Sequence, residues 1–303
     1  MNQFVIKQLG KVNAMFENWM GRRAKEVKLP DNVEIMEDIS YLDTGLDCHK
    51  VDIYRPKGNS EKLPVIANLH GGGMLLCTRK VNRPFCAELA KRGFLVFCVD
   101  YPLVPEKDIP GILADVAAGL EWVKGQIAAY GGDENRVYLV GDSAGAFIGL
   151  YELAAQKNGD IAQSLNMKPS ELPIRAAAFI SGMFYMAKPD SVGGFLRSDF
   201  YGKDWKRHPF RPYMDPACEG VAKNLPPLYL VTAKLDNLRN YTLDFARGLK
   251  KAGVPHKLVD LPFDKDMNHD FVIIKPESPK AQTIIDEICD YLMEMNAGCA
   301  LQQ

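Results

Sequence analysis

The sequence has little of what membrane-spanning, secreted or nucleic-acid-binding proteins need. No apolar run among its 303 residues approaches the length of a transmembrane helix, and the first residues lack the basic-then-apolar form of a signal peptide. The formal net charge is only −1, so no electrostatic excess favours nucleic acid or an acidic membrane as a partner. We therefore expect a cytoplasmic protein with no stable membrane insertion and no nucleic-acid partner.

Cysteine patterns typical of disulfide frameworks or metal centres are also missing. The cysteines are odd in number, scattered, and free of Cys-x-x-Cys or Cys/His ligand spacing: positions 48, 77, 86, 98, 218, 289 and 299. Several lie inside apolar segments, which favours buried reduced thiols over disulfides or a metal site. No internal repeat or low-complexity tract interrupts the chain. The sequence predicts neither a metal nor a cofactor.

What the chain does have is a regular alternation of strand-like and helical patterns. Strand-like runs fall near 33–42, 49–54, 64–69, 94–99, 136–141, 174–180, 228–233 and 256–261. Helical patterns fall near 82–92, 111–129, 144–157, 240–252 and 278–295. This alternation, with several continuously apolar strands, predicts a mainly parallel sheet covered by helices on both faces. The first two runs alternate polar and apolar residues around Asp43-Thr44-Gly45, which predicts an antiparallel edge hairpin.

The most informative stretch is 136–145, an apolar strand that ends in Gly-x-Ser-x-Gly and passes directly into a helix. Gly141 and Gly145 allow the sharp turn, so Ser143 is expected at its tip with the hydroxyl facing a cleft. The positive end of the following helix dipole points at this position and favours a developing oxyanion. The pattern therefore predicts a nucleophilic serine.

A second glycine motif, His-Gly-Gly-Gly at 70–73, follows the strand near 64–69. Its backbone N–H groups are unshielded by side chains and can turn toward an anion. The tetrahedral intermediate of acyl transfer needs about two or three such donors, each worth about 3 kcal/mol in the barrier. We assign these donors to Gly71, Gly72 and Ala144. The alternative is a flexible connecting loop, but two glycine turns at the ends of strands favour a ligand site.

These two motifs together resemble the hormone-sensitive-lipase-like branch of the α/β-hydrolases, which consists mostly of bacterial carboxylesterases. The segment 99–106 is similar to the Asp-Tyr-Arg-Leu-Ala-Pro-Glu stretch of that family, and 225–236 is similar to the strand and turn that carry its acid. The resemblance covers roughly residues 60–295. It implies an α/β-hydrolase fold with a mostly parallel central sheet, helices on both faces and a helical cap.

The chain departs from the family pattern at three positions. Pro102 replaces the usual Arg, Met74 replaces a common aromatic residue, and Ala146 replaces the Gly that often follows the elbow. The resemblance implies that the first two positions touch the pocket wall, so they bear on the shape of the substrate and not on the chemistry.

A nucleophilic serine needs an imidazole base, and His269 is the best placed of the five histidines. In this fold class the chain order is Ser, then Asp or Glu, then His. His269 stands in the polar loop 264–270, after the last strand and before the last helix, where it can reach the elbow. The alternative for His269 is a solvated loop residue. Of the others, His49 and His70 precede Ser143. His208 lies in an aromatic insert, and His256 opens a strand. We expect His70 to order the glycine loop.

Asp236 is the predicted acid because it follows the strand near 228–233 and precedes a helix. A carboxylate there would accept the imidazole N–H, fix the tautomer of the ring and stabilise the imidazolium. The alternative is a residue of the helix N-terminal turn. Three other aspartates are rivals, but Asp260 lies inside a strand, and Asp264 and Asp266 are too close to His269 along the chain.

Two segments stand outside this core, which we place at 31–182 and 225–303. Residues 1–30 carry one apolar helical face, and 183–224 interrupt the alternation with eight aromatic residues. The family resemblance implies that these pieces form a lid, with 1–30 as an N-terminal cap helix and 183–224 as a cap insertion. For any single cap aromatic, we expect packing and not substrate contact.

Together these features predict a serine carboxylesterase that acts on a small-molecule ester with a short to medium acyl chain through an acyl-enzyme. Protonation of His269 should produce an acid limb in the pH–rate profile at about pH 6–7. Two alternatives stay open: a peptidase or amidase with the same triad, and a non-catalytic small-molecule receptor on the same fold. The sequence also leaves a homo-oligomer open.

Overall fold

The fold is built on one eight-stranded sheet. The computed structural model describes residues 11, 14, 15, 27–190, 197, 198 and 200–296. The strands are β1 (Val33–Ser40), β2 (Lys50–Pro56), β3 (Leu63–Leu69), β4 (Leu95–Val99), β5 (Gly132–Asp142), β6 (Ile174–Ile180), β7 (Leu228–Ala233) and β8 (His256–Leu261). Their order across the sheet is β1-β2-β4-β3-β5-β6-β7-β8. Strands β3 to β8 pair in parallel, whereas β2 is antiparallel to both β1 and β4. The predicted strands, the mainly parallel sheet and the antiparallel edge hairpin are confirmed.

Helices cover both faces of this sheet. They are α1 (Arg83–Lys91), α2 (Ile109–Gln126), α3 (Ala144–Lys157), α4 (Gly159–Ser164), α5 (Glu219–Ala222), α6 (Arg239–Ala252), α7 (Phe271–Ile274) and α8 (Pro279–Asn296). On one face, the apolar side chains of α2, α3 and α6 pack on the sheet, and on the other those of α1, α7 and α8 do so. Successive residues of β3 alternate between the two layers, because side chains of a strand point to opposite faces.

The parallel register brings the two glycine motifs together. Leu69, the last residue of β3, is paired with Gly141 near the end of β5. The chain therefore leaves both strands at the same edge of the sheet, where loops of parallel α/β proteins bind ligands. The loops after β7 and β8 meet at that edge as well, through a bridge between Leu235 and Asn268.

Three short helices and one strand boundary differ from the expectation. The sequence predicted no helix at α4, α5 or α7, which have six, four and four residues, because so few residues show no 3.6-residue period. Strand β5 begins at Gly132, not near residue 136, because Gly132 pairs with Leu63 after a shift of register. A side chain at Gly132 would collide with Ile127 and Val65.

The predicted cap insertion packs on the helix that follows the serine turn. Its described elements include α5 and two 3₁₀ turns, at Trp205–Arg207 and Arg211–Tyr213. The ring of Tyr151 in α3 contacts that of Phe210 at 4.9 Å between centroids, and its hydroxyl donates to the carbonyl oxygen of Tyr213 at 2.7 Å. The division into core and cap stays a prediction. The N-terminal helix and Phe195 lie outside the described residues, apart from helical positions 11, 14 and 15.

Within residues 27–190 and 200–296, and at the few other described positions, no helix is both long enough and apolar enough to cross a membrane.

Candidate active site

Ser143 sits on a tight turn between β5 and α3. Its φ of 47° and ψ of −110° are rare for a residue with a side chain, so the surrounding structure must hold it there. Its N–H donates to the carbonyl oxygen of Ile180 at 2.9 Å, and its own carbonyl oxygen accepts from the N–H of Met183 at 2.9 Å. The end of β6 and the residues that follow it therefore hold the turn in place.

The glycines on either side of the turn are required by close backbone approach. A Cβ atom at Gly141 would lie 2.7 Å from the carbonyl carbon of Gly145, and one at Gly145 would lie 2.0 Å from the carbonyl oxygen of Leu69. Real Cβ atoms do not approach backbone atoms so closely. The turn thus presses directly on the end of β3, which sets the distance between Ser143 and the loop that follows β3.

The three residues predicted as a triad lie in hydrogen-bond contact. His269 Nε2 is 3.1 Å from Ser143 Oγ, and His269 Nδ1 is 2.8 Å from Asp236 Oδ1. Three separate loops, after β5, β7 and β8, supply these side chains. Their geometry matches that in which an imidazole takes a proton from a hydroxyl while a carboxylate orients the ring.

Asp236 is held by its surroundings as an acceptor. Thr232 Oγ1 donates to Oδ2 at 3.0 Å, and the N–H of Leu238 donates to Oδ1 at 2.8 Å. Burial raises the pKa of the Asp236 carboxyl, but the hydrogen bond and charge of His269, with a hydrogen bond from Ser181, outweigh burial and leave that pKa below its usual value. Asp236 is therefore ionised and accepts the Nδ1 proton of His269.

The rival aspartates form ion pairs with other side chains. Asp260 contacts Arg239 through both carboxylate oxygens, at 2.8 and 2.6 Å. Asp264 pairs with Lys280, and Asp266 lies 3.8 Å from Lys275.

The rings of the other four histidines contact groups other than Ser143. His49 lies between Thr44 and Asp115, and the rings of His208 and His256 each contact a backbone group two positions away along the chain. His70, as expected, contacts the glycine loop: its Nδ1 is 2.7 Å from the carbonyl oxygen of Gly71.

Behind that loop is a buried charged network that the sequence did not predict. His70 Nε2 lies 2.9 Å from Asp100 Oδ1, and Arg79 Nη1 donates to Asp100 Oδ2 at 2.8 Å. Arg79 also donates from Nε to Asp52 at 2.8 Å and from Nη2 to Asp38. Asp100 belongs to the stretch that carries Pro102, and its cationic partner, Arg79, comes from another segment of the chain.

The structure gives the predicted oxyanion donors different surroundings. The backbone N–H of Gly71 forms a hydrogen bond with the carboxyl of Asp142, and a Cβ at Gly71 would lie 2.3 Å from Oδ2 of that group. Gly72 has a φ of 106°, which favours glycine, and a side chain there would collide with the carbonyl oxygen of Leu76. Ala144 is the first residue of α3 and is fully buried. Of the three N–H groups, that of Gly71 already has an acceptor.

Sequence reasoning missed Asp270, the residue directly after His269. Asp270 Oδ2 lies 3.0 Å from His269 Nε2, the nitrogen that also faces Ser143. Asp270 adopts a left-handed backbone conformation with a φ of 53°, and its N–H donates to Ser181 Oγ at 3.3 Å. In the sequence, Asp270 differs from the other aspartates of this loop only in standing directly beside His269, and that position was the one signal that could have identified it.

These carboxyls change the titration of the ring. Burial lowers the pKa of His269, but the charge of Asp270 and hydrogen bonds to Asp236 and Asp270 outweigh burial and raise that pKa from 6.5 to about 10. The acid limb expected from the sequence, at about pH 6–7, assumed an ordinary histidine and took no account of Asp270.

Among the residues that the structure describes, no group of three or more His, Cys, Asp or Glu side chains has the arrangement of a metal site.

Comparison with known families decides the affiliation of this fold and site. A family model described as alpha/beta hydrolase fold matches residues 66–273, more than half of the chain. The chain belongs to this α/β-hydrolase family. The family resemblance inferred from the two glycine motifs is thereby confirmed, and the match includes all three residues of the predicted triad.

Relatives of this α/β-hydrolase carry esterase names. Carboxylesterase NlhH of Mycobacterium tuberculosis is 29% identical over 243 residues, which are 78% of this chain and 76% of that protein. Versiconal hemiacetal acetate esterase of Dothistroma septosporum is 27% identical over 265 residues, 83% of this chain and 79% of that protein. A probable isoprenylcysteine alpha-carbonyl methylesterase of Arabidopsis thaliana is 27% identical over 223 residues, and the chain spans only 47% of its length.

Solved structures of similar fold include esterase B from Lactobacillus rhamnosis (HN001). It superposes with a TM-score of 0.90 at 19% identity and covers 98% of this chain and 96% of its own. A bacterial heroin esterase gives a TM-score of 0.73 at 23% identity, with 96% and 92% coverage. At these identities the likeness establishes the shared α/β-hydrolase fold.

Proposed function

We propose that this α/β-hydrolase is a serine carboxylesterase that hydrolyses carboxylic esters of short to medium acyl chains through an acyl-enzyme. The observation that carries the proposal is the chain of contacts from Ser143 Oγ through the His269 ring to Asp236. A hydroxyl is a weak nucleophile until a neighbouring base removes its proton, and the 3.1 Å contact with Nε2 provides that base.

In the first half of the reaction, Ser143 Oγ attacks the ester carbonyl carbon while its proton passes to His269 Nε2. Asp236 stabilises the resulting imidazolium through Nδ1–H. The negative oxygen of the tetrahedral intermediate is held by the N–H groups of Gly72 and Ala144. The N–H of Gly71, which we also predicted as a donor, holds the glycine loop in place through its bond to Asp142.

Breakdown of that intermediate releases the alcohol, whose oxygen takes the proton from His269 Nε2. A water molecule then replaces the alcohol, gives its proton to the same nitrogen and attacks the acyl carbon. The second tetrahedral intermediate releases the carboxylic acid and restores Ser143. No group other than water and the ester is consumed.

The names of the relatives support an ester with one small side. One relative is named for an acetate ester and another for a methyl ester. Small acyl groups are also compatible with the packed segment after β6, where Phe184 and Tyr185 are buried next to Met183, whose N–H donates to the carbonyl oxygen of Ser143. We therefore expect acetate and butyrate esters to be better substrates than long-chain ones.

The test is hydrolysis of p-nitrophenyl acetate and butyrate by the wild type and by Ser143→Ala. Loss of the nucleophile should reduce kcat by at least about 10⁴-fold, because the remaining groups only bind and polarise the ester. Ser60→Ala is the matched control, since Ser60 is exposed on a loop. Near wild-type turnover by Ser143→Ala would exclude the mechanism.

Covalent labelling separates the esterase from the alternatives. Diethyl p-nitrophenyl phosphate should phosphorylate Ser143, and peptide mass spectrometry should find the adduct there and not in Ser143→Ala. If the protein cleaves anilide substrates faster than the matched esters, the peptidase or amidase alternative is favoured. If neither labelling nor turnover is observed, the non-catalytic receptor is favoured.

A further inference from the structure

The imidazole of His269 has two partners at one nitrogen. Nε2 lies 3.1 Å from Ser143 Oγ and 3.0 Å from Asp270 Oδ2. The Asp270 residue is only 8% exposed, and its second oxygen, Oδ1, has no hydrogen-bond partner within the part of the chain that the structure describes. Asp270 is thus committed to the ring and not to solvent.

This contact requires a proton between ring and carboxyl. Nδ1 donates to the ionised Asp236, so a neutral ring carries its lone pair at Nε2. A carboxylate oxygen 3.0 Å from a lone pair would be repelled, whereas an N–H or a carboxylic O–H in that position makes a strong hydrogen bond. The proton lies on His269 or on Asp270, and in both cases it occupies the site that the proton of Ser143 must reach.

The charges around the ring favour retention of this proton. Three carboxyls face it from three elements: Asp142 at the end of β5, Asp236 after β7 and Asp270 itself, with the hydroxyl of Ser181 after β6 between the last two. His269 is the single cationic group among the interactions that the structure describes for these carboxyls, with Asn82 donating to Asp142 at 2.7 Å. Three buried carboxylates beside one cation would repel each other, and this repulsion favours protonation within the group of three carboxyls and the ring.

The pKa directions agree with this arrangement. Burial raises the pKa of Asp270 above its ordinary value, partly offset by His269. Burial, followed by the charge of Asp270, raises the pKa of Asp142 well above its ordinary value. Asp142 therefore holds its proton to a higher pH than an ordinary aspartate, Asp236 carries the negative charge that orients the ring, and Asp270 shares a proton with His269.

We propose that Asp270 is a positioning residue that binds His269 Nε2 in the resting enzyme, shares a proton with it and competes with Ser143 for that nitrogen. The proposal rests on the proposed function, because it concerns the base of that reaction. Ser143 can be deprotonated only after the shared proton has passed to solvent, which leaves a neutral ring beside a carboxylate. Asp270 thus moves the acid limb of the pH–rate profile to a higher pH than that of a triad without such a carboxyl.

The kinetic test is the pH dependence of kcat/KM for p-nitrophenyl butyrate in the wild type, Asp270→Asn and Asp270→Ala. Both variants should move the acid limb toward lower pH by at least about one unit, because a neutral side chain no longer stabilises the imidazolium. Asp266→Asn is the matched control, since this loop aspartate faces Lys275 and not His269. A limb that coincides in all four proteins would overturn the proposal.

A second measurement reads the ring without turnover. In protein labelled with ¹⁵N-histidine, the ring signals of His269, assigned by their loss in His269→Gln, are titrated in the wild type and in Ser143→Ala. We expect the ring to titrate well above 6.5 in both and nearer that value after Asp270→Asn. If the wild-type ring titrates near 6.5, the proposal is overturned. This result needs no Asp270 variant, so it holds even if those variants fail to fold. Ester turnover by Ser143→Ala would instead refute the proposed function alone.

Discussion

Replacement of the buried Glu152 by Gln should stabilise the protein at neutral and alkaline pH. Glu152 lies in α3, fully buried, where Oε1 accepts from the N–H of Ser170 at 2.7 Å. Its other oxygen, Oε2, has no hydrogen-bond partner among the described residues. Burial raises the pKa of Glu152 from 4.5 to about 7, although hydrogen bonds from Ser170 and Gln156 partly oppose it.

The size of the effect follows from that shift. Each unit of pKa corresponds to about 1.4 kcal/mol, so a rise from 4.5 to about 7 corresponds to about 3 kcal/mol. The unfolded chain loses the proton near pH 4.5 and the folded chain only near pH 7, so stability falls as pH rises through this window. Above it, the folded protein bears the whole cost of a buried carboxylate.

Glu152→Gln removes this titration while keeping the size of the side chain. At pH 8 the variant should unfold with a free energy up to about 3 kcal/mol above that of the wild type, whereas at pH 5 the difference should fall below about 1 kcal/mol. Urea denaturation followed by circular dichroism at pH 5, 6, 7 and 8 measures the difference directly. Glu61→Gln, at an exposed loop position, is the control.

The dependence on pH is what distinguishes this explanation from a simple packing effect. If Glu152→Gln changes the free energy of unfolding by the same amount at every pH, the carboxyl titrates normally in the folded protein. The assignment of a retained proton to Glu152 would then be wrong.

Two further predictions concern the scaffold of the site. Arg79→Met should lower the free energy of unfolding by about 3–5 kcal/mol, because it leaves the buried carboxyls of Asp52 and Asp100 without their cation; an unchanged urea midpoint would contradict this. Gly145→Ala should prevent folding or abolish esterase activity through collision with the end of β3, whereas Gly125→Ala, with open space in α2, should raise stability by up to about 1 kcal/mol. The melting temperature and the rate of ester turnover are measured for both variants. Equal values for Gly145→Ala and Gly125→Ala would refute the steric argument.

Much of the fold could be predicted because parallel strands carry strong patterns. Strands buried on both faces appear as continuous apolar runs, most of them separated by helices of nine or more residues, and their observed bounds lie within a few residues of the expected ones. Helices of one turn, such as α7, escaped prediction because their formation depends on tertiary contacts. The left-handed residue Asp270, which directly precedes α7, is fixed by neighbouring loops and not by local propensity.

The candidate site could be predicted only where a local motif or chain order specifies it. Ser143 is marked by its glycines, and His269 and Asp236 by their order along the chain. Arg79 carried no such signal, because its three aspartate partners lie on other segments and meet it only through the strand register. Asp270 was missed for a different reason: an aspartate in a polar loop resembles a solvated residue until the fold buries it.

The network behind the glycine loop joins that loop to the outermost strand of the sheet. Asp38 lies at an irregular step of β1, which among the described strands pairs with β2 alone. From there, contacts pass through Arg79 and Asp100 to His70 and so to the glycine loop at 70–73. Outermost strands open more readily than central ones. Fraying at the rim of this protein would therefore loosen the amides that we propose as oxyanion donors, while the central strands and the Ser143 turn remain intact.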